Sequence, residues 1–169
     1  MNSLKFLQRC RFISPKHRLE WYPPFFFMRI KVLEMDEKWN SIRLSLPLTM
    51  LSRNMGDSMF GGYQAAVADP IAAIACARQF PGYTVWTRTL SLDFEFPGNS
   101  DLELRFKFPA ETKKKIQEDL ARKNRSTPEF MYGLYRGDGQ CCTTIKCLVA
   151  IRPAGYQKKL STGTIRQDE

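Results

Sequence analysis

Gly61-Gly62-Tyr63-Gln64-Ala65-Ala66-Val67-Ala68-Asp69-Pro70-Ile71-Ala72-Ala73-Ile74-Ala75-Cys76-Ala77 is the stretch on which the fold of this chain turns. It is rich in alanine, the best helix former, and a helix is predicted from about residue 62 to residue 79. Asp69 is its one charged residue between positions 61 and 77. A helix that is apolar on nearly every side must be enclosed by other elements. Asp69 is therefore expected to be buried, and the rest of the chain has to supply the enclosure.

That enclosure reads as strands. Ile42, Leu44, Leu46 and Leu48 alternate with Ser41, Arg43, Ser45 and Pro47, and Leu102, Leu104, Phe106 and Phe108 alternate with Asp101, Glu103, Arg105 and Lys107. Such alternation puts one strand face on a core and the other in water. A longer strand carries Trp86, Leu90, Leu92, Phe94 and Phe96 at one parity, then turns at Pro97-Gly98-Asn99. Two further strands are predicted at 129–136 and 140–151, joined through Gly137-Asp138-Gly139. Residues 25–33 read as a strand that pairs with 39–47 across Met35-Asp36-Glu37-Lys38. Short connections imply antiparallel pairing. A second helix, 112–123, is strongly charged, with Ile116 and Leu120 as its narrow apolar stripe. The pattern as a whole is α+β: an antiparallel sheet of five to six strands wrapped around one central apolar helix.

The 169 residues fit one domain. Residues 1–152 form it, with 1–20 as a helical capping segment in which Leu4, Leu7 and Cys10/Arg11 fall near one face, and 153–169 as a flexible basic tail. The net charge of +9 suits anionic partners. Basic residues gather near the start (Lys5, Arg9, Arg11, Lys16, Arg18) and around Lys113, Lys114, Lys115, Arg122, Lys123 and Arg125. No stacking-aromatic and basic cluster of a known module is present, so nucleic acid is not an expected partner. No segment is long and apolar enough to span a bilayer, and no membrane partner is expected. Five cysteines without CxxC spacing, and a single histidine, His17, argue against a zinc site. They fit reduced thiols in a cytoplasmic protein.

Asp69 is the chemical question. A lone carboxylate in an apolar helix is costly unless paired, hydrogen-bonded or protonated. It reads either as a general base or nucleophile tuned by its surroundings, or as a structural acid that caps amides or meets a cation. Pro70 removes one helical hydrogen bond, frees the Ala66 carbonyl and bends the axis beside the acid. Gly61 and Gly62 open the helix, where first-turn amides have no intrahelical acceptor and can hold a carbonyl oxygen or an oxyanion. Gly62 precedes Asp69 by seven positions, about two helical turns along one helix. Arg88 shares strand parity with Trp86 and Leu90 and should find an anion (Asp69, Asp57 or a ligand), unless a local bulge turns it to solvent.

On these residues the chain resembles a known superfamily. The run Asn54-x-Gly56-x-x-Met59-Phe60-Gly61-Gly62, ending in Ala68-Asp69-Pro70, looks like the helix motif of hotdog-fold acyl-CoA thioesterases. An uncharacterised bacterial branch of that superfamily shows a similar Val85-Trp86 with Arg88, and a similar Pro97-Gly98. The resemblance spans about residues 20–152. In the phenylacetate-type enzymes a His-Gly-Gly opens the helix, and an acid follows the second glycine by seven positions. Here the acid is Asp69, the glycines are Gly61 and Gly62, and Phe60 stands at the histidine position.

The resemblance implies hydrolysis of acyl thioesters carried on coenzyme A or acyl carrier protein. The Gly62 amide would polarise the thioester carbonyl, and Asp69 would activate water or attack directly. Asn54, Gly62 and Asp69 become the candidate catalytic residues. Met59, Phe60, Gly61, Tyr63, Trp86 and Arg88 become the candidate substrate-binding residues. It further implies a site between two subunits in a homodimer or a dimer of dimers, and no cofactor, since coenzyme A arrives as part of the substrate. Phe60, a ring with no hydrogen-bond donor in place of the histidine, supports a second expectation: a non-catalytic hotdog domain that binds an acyl chain, acyl-CoA or a protein partner.

Overall fold

A computed structural model of the chain describes residues 14–156. Two short helices, α1 (Pro15–Glu20) and α2 (Pro23–Phe27), come first. They are followed by β1 (Lys31–Met35), β2 (Ser41–Leu46), α3 (Gly61–Gln79), β3 (Tyr83–Phe94), β4 (Leu102–Lys107), α4 (Ala110–Lys123), β5 (Glu129–Arg136) and β6 (Cys141–Pro153). The strands form one six-stranded sheet in the order β1-β2-β4-β5-β6-β3, with every pairing antiparallel. Helix α3 packs mainly on β3 and β6. The expected α+β architecture is therefore present, with a single long apolar helix against a curved antiparallel sheet. The expected amphipathic turn at Leu4, Leu7 and Cys10/Arg11, and the tail beyond Tyr156, lie outside the described residues.

The alternation read from the sequence is the alternation of burial. Ile42, Leu44 and Leu46 of β2 are fully buried, and Leu102, Leu104 and Phe106 of β4 face the same core. Phe106, Phe108, Phe130 and Tyr132 pack edge-on or tilted, with centroids 5.0 to 6.2 Å apart. Edge-on packing sets the positive rim of one ring against the negative face of the next. On α4, Ile116 and Leu120 are the buried residues, as their spacing predicted.

Two expectations are corrected. Residues 25–33 are not one strand. Pro23 and Pro24 preset the backbone for the first turn of α2, Arg29 turns the chain with φ 58°, and β1 begins only at Lys31. The second correction concerns β3. Its ladder with β6 has a bulge between Thr87 and Thr89, so Arg88 has no partner residue across the ladder. The extra residue reverses the parity. Trp86 therefore lies on the opposite face from Leu90 and Leu92, not the same one.

The polar face of the sheet has its own constraint. Arg43 and Arg105 are direct cross-strand neighbours, an arrangement that repels unless an anion intervenes. Glu103 supplies it, accepting from Arg43 Nε at 2.5 Å and Arg105 Nε at 2.9 Å, while Arg43 also reaches Glu34 on β1 at 3.0 Å. Hydrogen bonds from Arg43 and then Arg105 hold the Glu103 carboxyl down at about 2, below its ordinary 4.5. A depressed folded-state value stabilises fully above the unfolded value and loses that contribution as pH falls through the window from 4.5 to about 2. The melting temperature of the native chain should therefore drop across that window more steeply than that of Glu103→Gln, measured by thermal unfolding at stepped pH.

Candidate active site

Helix α3 is not enclosed on all sides. Its buried residues are Gln64, Val67, Ala68, Ile71, Ala72, Ala75 and Cys76. Gly62, Ala66, Asp69 and Ala77 are exposed and fall on one stripe at spacings of three, four and eight residues. The expectation that Asp69 is buried is thus corrected. The sheet covers the helix from one side only, and Asp69 stands on the open side. The apolar character of that side comes from alanines and a glycine, whose small side chains carry no charge but bury little area.

The helix is fixed around the acid by its neighbours. Tyr132 Oη on β5 donates to the Ala68 carbonyl at 2.7 Å, and Thr87 Oγ1 on β3 donates to the Asp69 carbonyl at 2.7 Å. These are the two carbonyls immediately before Pro70. Thr87 reaches the helix because the bulge follows it; Trp86, one residue earlier, points to the other face. There Trp86 stacks on Tyr156, with ring centroids 6.1 Å apart, and Arg152 lies 5.9 Å over its ring. Trp86 is therefore not beside Asp69 within one chain. Arg88 is exposed at the bulge and pairs with neither Asp69 nor Asp57; Asp57 pairs with Arg53 at 3.2 Å. The solvent-facing reading of Arg88 is the one the fold adopts.

The first turn of α3 is anchored through its buried polar residue. Gln64 Nε2 donates to the Met59 carbonyl at 3.2 Å, and Thr143 Oγ1 on β6 donates to Gln64 Oε1 at 2.5 Å. Met59 is buried and its amide donates to the Gly98 carbonyl at 2.8 Å, while the Phe60 amide donates to Ser52 at 2.7 Å. Asn54 shapes the loop before the helix: its Oδ1 accepts from the Gly56 and Ser58 amides at 2.9 and 3.2 Å. Its side chain thus serves the loop.

Gly61 and Gly62 lie under aromatic rings. A Cβ on Gly61 would sit 2.9 Å from the Phe94 ring, and one on Gly62 would clash with the Phe60 ring. Both rings are about half exposed. A side chain at either position would have to push these rings aside. The Gly61 and Gly62 amides have no acceptor among the described residues. Tyr63, half-buried, packs on the core behind them.

Sequence reading singled out Asp69, the glycine pair and Phe60 as candidates. It missed Thr87, Tyr132 and Thr143 as partners of the helix, because a hydroxyl in a strand carries no periodic signal. Gln64 was visible as a polar interruption of an apolar run. Behind Asp69, burial pushes the Tyr132 hydroxyl and the Cys147 thiol up from their ordinary values. Cys76, Cys141, Cys142 and Cys147 are all free. Among the described residues, no three His, Cys, Asp or Glu side chains converge as a metal site would need, and no helix is long and apolar enough to cross a membrane.

No family model matches the chain, and no curated protein matches it. Solved structures do. The Pseudomonas aeruginosa protein PA5026, of unknown function and called a probable thioesterase, aligns at TM-score 0.73 and 15% identity, covering 82% of this chain and 93% of its own. The Haemophilus influenzae thioesterase HI1161 aligns at 0.64 and 14% identity, over 83% of this chain and 90% of its own. The Escherichia coli PaaI protein from the phenylacetic acid degradation operon aligns at 0.51 and 16% identity, over 74% and 80%.

The anchoring bonds differ in what their loss exposes. Thr143→Val strands the buried Gln64 oxygen and should cost about 1–3 kcal/mol, whereas Thr87→Val leaves an outward carbonyl to water and should cost about 1 kcal/mol or less. Urea unfolding of the two variants checks the order.

Proposed function

We propose that this chain, which has the hotdog fold of those thioesterase structures, hydrolyses acyl thioesters at the open side of α3. The observation that carries the reading is the placement of Asp69. It is the one carboxylate on an otherwise uncharged stripe, and that stripe begins at the unpaired first-turn amides of Gly61 and Gly62. Seven residues of helix separate Gly62 from Asp69, roughly 10 Å along the axis at the usual rise. In the proposed reaction the substrate lies along the stripe with its carbonyl oxygen towards the Gly62 amide. Asp69 takes a proton from water as the water oxygen attacks the carbonyl carbon. The oxyanion is held by the amide at the positive end of the helix. The tetrahedral intermediate then collapses, the carbon–sulfur bond breaks, and the proton from Asp69 goes to the departing thiolate. The products are a carboxylic acid and a free thiol. Coenzyme A or acyl carrier protein is the proposed thiol carrier, and the free thiols suit a reducing compartment such as the cytoplasm.

A second copy completes the proposed site. Strand β3, with twelve residues, lies at the edge of the sheet and leaves its outer amides and carbonyls unpaired. Long open edges invite pairing with another strand. The edge adjoins the open stripe of α3, so one partner could cover both. Arg88, exposed on that edge, would then meet the partner or its ligand rather than its own Asp69.

The non-catalytic reading rests on Phe60. Its ring, half exposed over Gly62, offers an apolar surface and no hydrogen-bond donor where a histidine would offer one. A binding domain would use the same stripe for an acyl chain without turnover.

An acyl-CoA panel with thiol release as readout separates the two. Turnover is expected in the native chain, with a loss of at least about a hundredfold in Asp69→Asn. Because Asp69 is exposed, its melting temperature should stay within a degree or two of the native value. Saturable acyl-CoA binding without any turnover would establish the binding reading instead. Sedimentation equilibrium should give a mass of at least two chains, and a monomer at micromolar concentration would remove the shared site.

A further inference from the structure

A second surface lies at the other end of the sheet. At the junction of α1 and α2, Trp21, Pro23, Phe26 and Phe27 line a shallow open depression. Trp21 is 49% exposed, Phe26 61% and Phe27 74%. Rings this exposed and this close together are uncommon on a protein surface that meets only water. Phe25, between them in sequence, is fully buried and ties the segment to the core.

The charge around this tip is one-sided. From position 14 to 33 the sequence has four lysines and arginines and one acid, Glu20. Glu20 is buried and accepts from the Val32 amide at 2.9 Å, so it presents no negative charge to the surroundings. Lys16, Arg29 and Lys31 are exposed, and none of them forms an ion pair among the described residues.

We propose that this α1–α2 tip is a peripheral docking surface for an anionic lipid bilayer, with Trp21, Phe26 and Phe27 entering the headgroup boundary and Lys16, Arg29 and Lys31 meeting acidic headgroups. Tryptophan and phenylalanine favour that boundary, and clustered cations add attraction to acidic lipid. The contact is interfacial and needs no spanning segment. A nucleic acid shares the charge but not the geometry. Phe26 and Phe27 meet edge-to-face at 79°, which makes an apolar wedge rather than parallel rings on which bases stack. The tip adjoins β1, and β1 and β3 are opposite edges of the sheet. Assembly through β3 would therefore leave the tip free.

The test uses the full chain and sedimentation with vesicles. Phosphatidylcholine vesicles with about one-third phosphatidylserine should retain it, and pure phosphatidylcholine should retain about tenfold less. The double variant Phe26→Ser/Phe27→Ser should lose about tenfold in binding while keeping its melting temperature, since both rings are exposed. Lys16→Glu/Lys31→Glu should lose binding to acidic vesicles and leave the residual binding to neutral ones unchanged. Tryptophan emission should shift blue on acidic vesicles, and Trp21→Phe, which retains Trp39 and Trp86, should abolish the shift. No retention on acidic vesicles overturns the proposal. So does equal retention of the Phe26→Ser/Phe27→Ser variant. Retention on single-stranded DNA but not on vesicles, or a change of oligomeric mass in that variant with vesicle binding intact, would reassign the surface to another partner.

Discussion

Three hydroxyls hold helix α3 in place, and the rest of the site depends on them. Tyr132 from β5, Thr87 from β3 and Thr143 from β6 each donate to the helix, the first two to the Ala68 and Asp69 carbonyls and the third to the Gln64 side chain. Val67, Ile71 and Cys76 are buried on one side of the helix, and the open side carries Gly62, Ala66, Asp69 and Ala77. Directional bonds add to that packing preference and fix the helix at its first turn and beside Asp69. Pro70 deletes one bond of the helix's own ladder nearby, the one to the Ala66 carbonyl.

The bulge at Arg88 is the second element of this arrangement. Without it Trp86 and Leu90 would share a face. With it, Val85 and Thr87 turn towards the helix before the bulge and Leu90 and Leu92 after it, while Trp86 joins Arg152 and Tyr156 on the far side. One inserted residue thereby directs a hydroxyl to the Asp69 carbonyl and sends the only positive charge nearby in the strand to solvent. Bulges beside functional sites commonly re-aim side chains in this way. The cost is an irregular edge strand; the consequence is an acid that forms no ion pair among the described residues.

The two ends of the sheet differ in character. At the β3 edge the surface is uncharged along the helix stripe apart from Asp69. At the β1 edge the surface is aromatic and basic. The proposed acyl thioester would lie along the first surface, and the proposed lipid contact would be made by the second. The overall charge of +9 is compatible with both and selects neither.

Alternation at Ile42–Leu44–Leu46 and Leu102–Leu104–Phe106 determined the strands and their buried faces, because a half-buried strand has to repeat every two residues. The alanine-rich run determined the central helix, and the glycine pair with Asp69 located the candidate site. Three features were decided only by tertiary structure. Pro23-Pro24 opened a helix where the aromatic run suggested a strand: a proline φ suits an extended chain as well as a helix's first turn, and the helical choice comes with Phe25 buried against the core. The parity of Trp86 was reversed by the bulge at Arg88, which the sequence offered only as the alternative to an anionic partner. Asp69 was placed outward rather than inward because the larger apolar side chains Val67, Ile71 and Cys76 meet the sheet, and Asp69 falls with Gly62, Ala66 and Ala77 on the side that the sheet leaves open.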